Sequence, residues 1–208
     1  LVQLSDISSE QILELKATLF SASDDRRRDI LGKLVELSED NLDLDFSKVF
    51  RLSLEDEDEQ VRENATRGLW DCDDRSIIPQ LVDLLNSDPS TRVRVCAALS
   101  LRKFAMVAQD GKLLARDSES IKTVLLNTIA NEDENIEVTR RAIEAVSYFD
   151  SPETNAIIQQ AYQSGDPQLK QSALYGMGQS SNAKWLPTVI VEMEDENAAI
   201  RYEAASAM

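Results

Sequence analysis

Carboxylates are the most abundant reactive groups in this 208-residue sequence, and they come in runs: Glu55 to Glu59, Asp71 to Asp74, Glu132 to Glu134 and Glu192 to Glu196. Clustered oxygen ligands suit calcium, and Asp133, Asn135, Glu137 and Glu144 fall near the spacing of an EF-hand loop. Val138 stands where such a loop needs glycine, however, and helical phase runs straight through the segment. The runs read as solvated turns between helices. Two cysteines, Cys72 and Cys96, stand far apart in a chain without histidine, which removes a Cys/His zinc site. No nucleophile elbow, phosphate-binding loop or dinucleotide fingerprint occurs. On these grounds no catalytic residue, metal ligand or cofactor is assigned.

Charge narrows the partners. With 38 acidic against 22 basic residues, the formal net charge is −16. A field of that sign repels phosphate backbones and anionic lipid surfaces, so nucleic acid and membrane are not expected as partners. The one basic cluster, Arg26 to Arg28, is flanked by Asp24, Asp25 and Asp29 and reads as a solvated helix face. No apolar run approaches the roughly 20 residues needed to cross a bilayer, and no charged-then-apolar leader opens the chain. Cys96 reads as helix packing and Cys72 lies in an acidic turn; neither supports a disulfide, which favours a reducing, cytoplasmic setting.

The elements that carry these residues are set by a recurring pattern. From Val93, Ala97 follows at four positions, Ser100 at seven and Leu101 at eight. Val61, Ala65, Gly68 and Leu69 repeat it upstream; Val138, Ala142, Ala145 and Val146, then Leu169, Ala173, Gly176 and Met177, then Ile200, Ala204, Ala207 and Met208 repeat it downstream. Ile30, Leu34 and Leu37 give a weaker copy. A period near 31 residues, with apolar positions at helical spacing, is the signature of stacked two-helix units. Few aromatics, Gly or Pro agree with an all-α chain. Hairpins are expected over 9–38, 44–71, 75–105, 118–149, 153–178 and 183–208, about twelve helices, with Ser8 or Ser9 capping the first. Residues 106–118 form an insertion, either a longer helix with a surface loop or a functional loop. Because Leu1 is not methionine and Met208 falls in mid-repeat, the chain, otherwise one array over 1–208, reads as an excerpt of something longer.

Asp56-Val61-Arg62-Ala65, Asp88-Val93-Arg94-Ala97 and Asp195-Ile200-Arg201-Ala204 share one spacing. This pattern resembles HEAT repeats, most closely the short bacterial kind found in phycobilisome lyases. The resemblance implies a right-handed α-α superhelix, an α-solenoid of about six hairpins. It implies that the helix after each turn lines a concave inner face, and that turn aspartates and helix cations form a ladder between neighbouring repeats. Asp56, Asp88, Asp133 and Asp195 match the first role, and Arg62, Arg94, Lys170 and Arg201 the second. Thr139 departs from the pattern, as does Asp166, two residues nearer its anchor. An aspartate near a helix start stabilises the free amides there, and an arginine offers a planar fork to the next unit.

Positions two, six and nine after each anchor should point away from the core. They and their neighbours supply the candidate partner-binding residues Glu63, Arg67, Trp70, Leu99, Arg102, Arg140, Glu144, Tyr175 and Tyr202. Tryptophan, tyrosine and arginine dominate interface energetics; the alternative is that Leu99 packs between units and Trp70 covers a turn. The expected function is a non-catalytic scaffold that binds a protein or extended peptide, with basic partners favoured by charge. Within the resembled families, absence of histidine speaks against the iron-dependent deoxyhypusine hydroxylases and the acidic balance against DNA glycosylases. A phycobilin lyase-type enzyme or its accessory subunit is the alternative.

Overall fold

The computed structural model describes residues 1–180 and 182–208, with Ser9 described by its backbone alone. The helices in chain order are α1 (Ser9–Ser21), α2 (Asp24–Asp40), α3 (Ser47–Ser53), α4 (Glu59–Gly68), α5 (Ile78–Ser87), α6 (Thr91–Gln109), α7 (Ala115–Ala130), α8 (Ile136–Val146), α9 (Pro152–Gln163), α10 (Pro167–Gln179), α11 (Leu186–Glu192) and α12 (Ala198–Ser206). Among the described residues there is no strand. The chain divides into two compact units, Leu1–Ser100 and Leu101–Met208.

The starts of these helices follow from local chemistry. Ser8 caps α1 through the amide of Gln11 in a reciprocal capping box. Pro79, Pro152, Pro167 and Pro187 sit in first turns, where a missing N–H costs nothing. Asp58, Asn135, Asp166 and Asn197 each accept the amide two residues on, capping α4, α8, α10 and α12. Of the stretch 106–118, residues 106–109 continue α6 and 115–118 open α7, so the link is only 110–114.

Burial follows the repeat. Val61, Val93, Val138 and Ile200 are buried, while Leu169 is half-buried. In the first unit α4 packs on α2 and α3; in the second, α10 packs on α8, α9 and α12. At the two glycines seven positions after an anchor, a neighbouring side chain fills the space a Cβ would take. A Cβ on Gly68 would collide with the ring of Phe50, and one on Gly176 with Ser147. Phe46 and Phe50 meet edge to face in the first unit, whereas the second centres on Ile143, Ile158, Leu174, Met177 and Trp185.

The turns carry the ladder. Asp56 is 2% exposed; its Oδ1 accepts the amide of Asp58 at 2.9 Å and Nη2 of Arg27 at 3.0 Å. Asp88 repeats this one hairpin on. Its Oδ1 takes the amide of Ser90 at 2.8 Å, and Arg62 grips both oxygens at 2.7 and 3.0 Å. Arg62 also turns Nη1 back onto the carbonyls of Asp56 and Glu57. One guanidinium thus ties its own turn to the next, which suits a planar fork. In the second unit Lys170 reaches only the next hairpin, with a point charge, at Asp195 (2.7 Å) and Glu192 (2.6 Å). Arg94 and Arg201 place Nη1 on the carbonyls of Asp88 and Asp195, at 2.7 and 2.8 Å.

Four features differ from the sequence reading. Arg27 is not on a solvated face: it is 7% exposed and forms the first rung. The first copy is phased by its cap rather than by Ile30. Counting from Ser23 places Arg26 at the anchor, exposed, and Arg27 at the ladder position, with Leu31 and Leu34 buried. At the fifth repeat the turn position is held by Ser164, whose Oγ accepts the amide of Asp166 at 3.2 Å. Asp166 is the helix cap, homologous in place to Asp58, and so sits two residues late. Asp133 remains exposed, its amide donating to the side chain of Asn131.

Candidate functional site

In the first unit, α2 and α4 end side by side and the chain leaves each through a polar link. Trp70, two residues past α4, is 56% exposed there. It borders a cleft of about 570 Å³ whose walls include Glu39, Leu42, Asp45 and Asp71 to Asp74. Local capping fixes the carboxylates. Asp45 accepts the amide of Ser47 at 2.8 Å. Asp74 accepts that of Ser76 at 2.9 Å, which, with the Ser76 hydroxyl and Arg51, holds it below the usual carboxylate range. Glu39 pairs with Arg67 at 3.2 Å. Lys48 lines the cleft but spends its ammonium on the carbonyl of Ile7, 2.6 Å away. The cleft thus sets an exposed indole among carboxylates.

The remaining predicted residues of this unit are less open. Glu63 is half-buried and 3.7 Å from Arg92, and Leu99 is half-buried. Both cysteines are free and half-buried. Burial pushes the Cys96 thiol up to about 11, so it stays protonated and unreactive at neutral pH.

In the second unit, Arg102, Arg140, Glu144 and Tyr175 come together, but in a closed network. Glu144 is 4% exposed and accepts Arg141 Nη1 at 3.1 and 2.9 Å and the Ser172 hydroxyl at 2.8 Å. Arg102 stands 3.7 Å from the same carboxylate, with its guanidinium over the Tyr175 ring at 5.5 Å. Tyr175 shares a 2.8 Å hydrogen bond with Tyr148, and burial raises its phenol further above its ordinary range. Arg140 is also buried, reaching Glu137 at 3.0 Å and Ser172 at 3.3 Å. The expectation that Arg140 and Glu144 point away from packing is therefore corrected. Both side chains are buried, and the Ser172 hydroxyl on α10 bonds to each of them. Tyr202 is exposed at 72%.

Sequence reasoning missed Arg27, Arg28, Asp58, Arg141, Ser172 and Tyr148. The first three had a signal: a cap residue two positions after each turn residue, with a cation one repeat earlier. Arg28 joins Asp58 through Nε at 3.0 Å; that hydrogen bond, opposed by burial and aided by the amides of Val61 and Gln60, brings the carboxyl down to about 2. No cluster of three or more metal-ligating side chains occurs among the described residues.

Comparison with known proteins agrees with this geometry. Residues 48–125 match the family described as HEAT repeats. None of the curated proteins compared matches the chain. Among solved structures, an engineered protein from a structural-genomics programme is similar with a TM-score of 0.61 at 16% identity, covering 95% of this chain and 94% of that one. Computationally designed armadillo repeat proteins for modular peptide recognition are similar at 0.54 and 15%, covering 93% and 97%. A designed armadillo repeat protein in complex with the peptide (KR)4 is similar at 0.51 and 17%, covering 99% and 95%. These likenesses give the fold, an α-solenoid of the armadillo and HEAT type. Residues 48–125 thus match HEAT repeats, and the chain has the α-solenoid fold of its structural neighbours.

Proposed function

We propose that the chain is a non-catalytic scaffold that binds an extended, basic segment of a partner protein, seated on Trp70 and the carboxylates beside it. The observation that carries this reading is the cleft itself: a 56% exposed tryptophan beside Glu39, Asp45 and Asp74 in a chain of net charge −16. Electrostatic attraction draws a cationic chain to such a surface, and the indole adds a contact that desolvation strengthens. One neighbour in fold holds the peptide (KR)4; here the charge of this chain is what favours a peptide of that kind. The buried network around Glu144 is structural on this reading, because its charges satisfy one another.

The peptide (KR)4 serves as the probe, with an (EE)4 peptide as control, in a fluorescence titration at two salt concentrations. The fluorophore is carried by the peptide and read by anisotropy, so the same signal reports on Trp70→Ala. Binding of (KR)4 that weakens with salt and falls about tenfold in Trp70→Ala is the expected result. Equal affinity in Trp70→Ala, or equal affinity for the acidic control, would reject the site.

A further inference from the structure

The Trp70 cleft does not stop at its carboxylates. Ser47, Lys48, Cys72 and Asp74 line it and also line a second cleft, of about 360 Å³, so the two are neighbours. The rest of this second lining is mostly apolar. Ile12 on α1 and Leu52 on α3 are half-buried, and Ile77, the residue before α5, is buried. The two cations of the lining are already spent. Lys48 holds the carbonyl of Ile7 at 2.6 Å, while Arg51 donates to Gln80 at 3.0 Å and to the Ser76 hydroxyl at 2.6 Å and stands 3.3 Å from Asp74. An acidic group therefore finds little to pair with here. A basic one meets Lys48 and Arg51, with Asp74 taken up by Ser76 and Arg51. What the cleft offers an incoming side chain is burial against Ile12 and Leu52.

Resting on the reading of the Trp70 cleft as a seat for a basic segment, we infer that the second cleft is a subsite for that same segment and takes an aliphatic side chain next to the basic run. Lysine and arginine stems would cover the same surface only by bringing their charged ends against Lys48 and Arg51, so they do not substitute for it. In an extended segment successive side chains point to opposite faces. Of two adjacent aliphatic residues, one therefore faces the cleft. The partner's motif is then bipartite: its charge speeds the encounter, and its aliphatic residue slows departure and separates this partner from other basic segments.

The probes are labelled (KR)4 and the same peptide extended by Leu-Leu or by Glu-Glu at either end, each titrated into the full chain and read by anisotropy. At one of the two ends Leu-Leu should tighten binding about tenfold. Ile12→Gln should remove that gain and leave the affinity for (KR)4 itself unchanged, because Ile12 is not part of the Trp70 cleft. Leu52→Ala, on another helix, should do the same. Binding of (KR)4 with no gain from Leu-Leu at either end, a gain that survives both variants, or an equal gain from Glu-Glu would overturn the inference and leave the basic-segment reading standing. No binding by any of the peptides, or binding of (KR)4 that Trp70→Ala leaves unchanged, would remove that reading and the inference with it.

Discussion

The two units solve one problem with different cations. In Leu1–Ser100 the rungs are Arg27 to Asp56 and Arg62 to Asp88, with the carboxylates buried and each guanidinium spanning two turns. In Leu101–Met208 the rung is Lys170, which has no fork and instead gathers two carboxylates, Asp195 and Glu192, with Tyr162 closing the group. Burial works against the Lys170 charge, yet Asp195 and Glu192 hold its ammonium above the usual range. A planar donor therefore allows a dry, directional joint, while a point charge needs extra acceptors and stays wetter. The Lys170 and Asp195 side chains are a fifth to a quarter exposed, against 11% and 3% for Arg62 and Asp88.

If that contrast holds, Arg62→Met should be the most damaging change, because it strands Asp88 in a buried turn. A loss of about 3 to 5 kcal/mol in urea unfolding is expected. Lys170→Met should lower the midpoint visibly less, and equal losses would break the comparison. Gly68→Ala comes next, at about 1 to 3 kcal/mol, since Phe50 must move to admit the methyl. A smaller effect is expected from acid. Asp58 titrates at about 2 when folded, below the ~3.9 of an unfolded aspartate. Its contribution is full above pH ~4 and is lost as pH falls towards 2. Asp58→Asn should flatten the stability profile in that window, whereas an unchanged slope would mean that Arg28 adds nothing there. Smallest of all, Trp70→Ala should leave the melting temperature almost unaltered, because the indole is mostly in solvent; a large drop would make it a turn cover instead of a binding residue.

Much of the fold was legible because the sequence repeats the same physical demands. Val61, Val93, Val138 and Ile200 are buried where the period places them, and the resemblance to HEAT repeats implied a ladder in which Asp88 and Arg62 take part. Ser164 was not legible, because its hydroxyl performs the turn role of an aspartate without resembling one. Arg27 was hidden by an apolar phase that favoured Ile30 over the cap at Ser23. For the candidate site, Trp70 and Tyr202 are exposed as projected, while Arg140 and Glu144 are not. Ser172 on a neighbouring helix bonds to both, and a single helix's periodicity carries no information about what its neighbour presents.

The forward reach of each rung has an evolutionary corollary. Where a rung is made, a cation in one repeat finds its carboxylate in the following one, as Arg62 finds Asp88, so duplication or excision of such a period rejoins its donor to an equivalent acceptor. A gene built this way can lengthen or shorten by recombination between copies without inventing a new joint, whereas an exchange out of phase would orphan a charge at the seam.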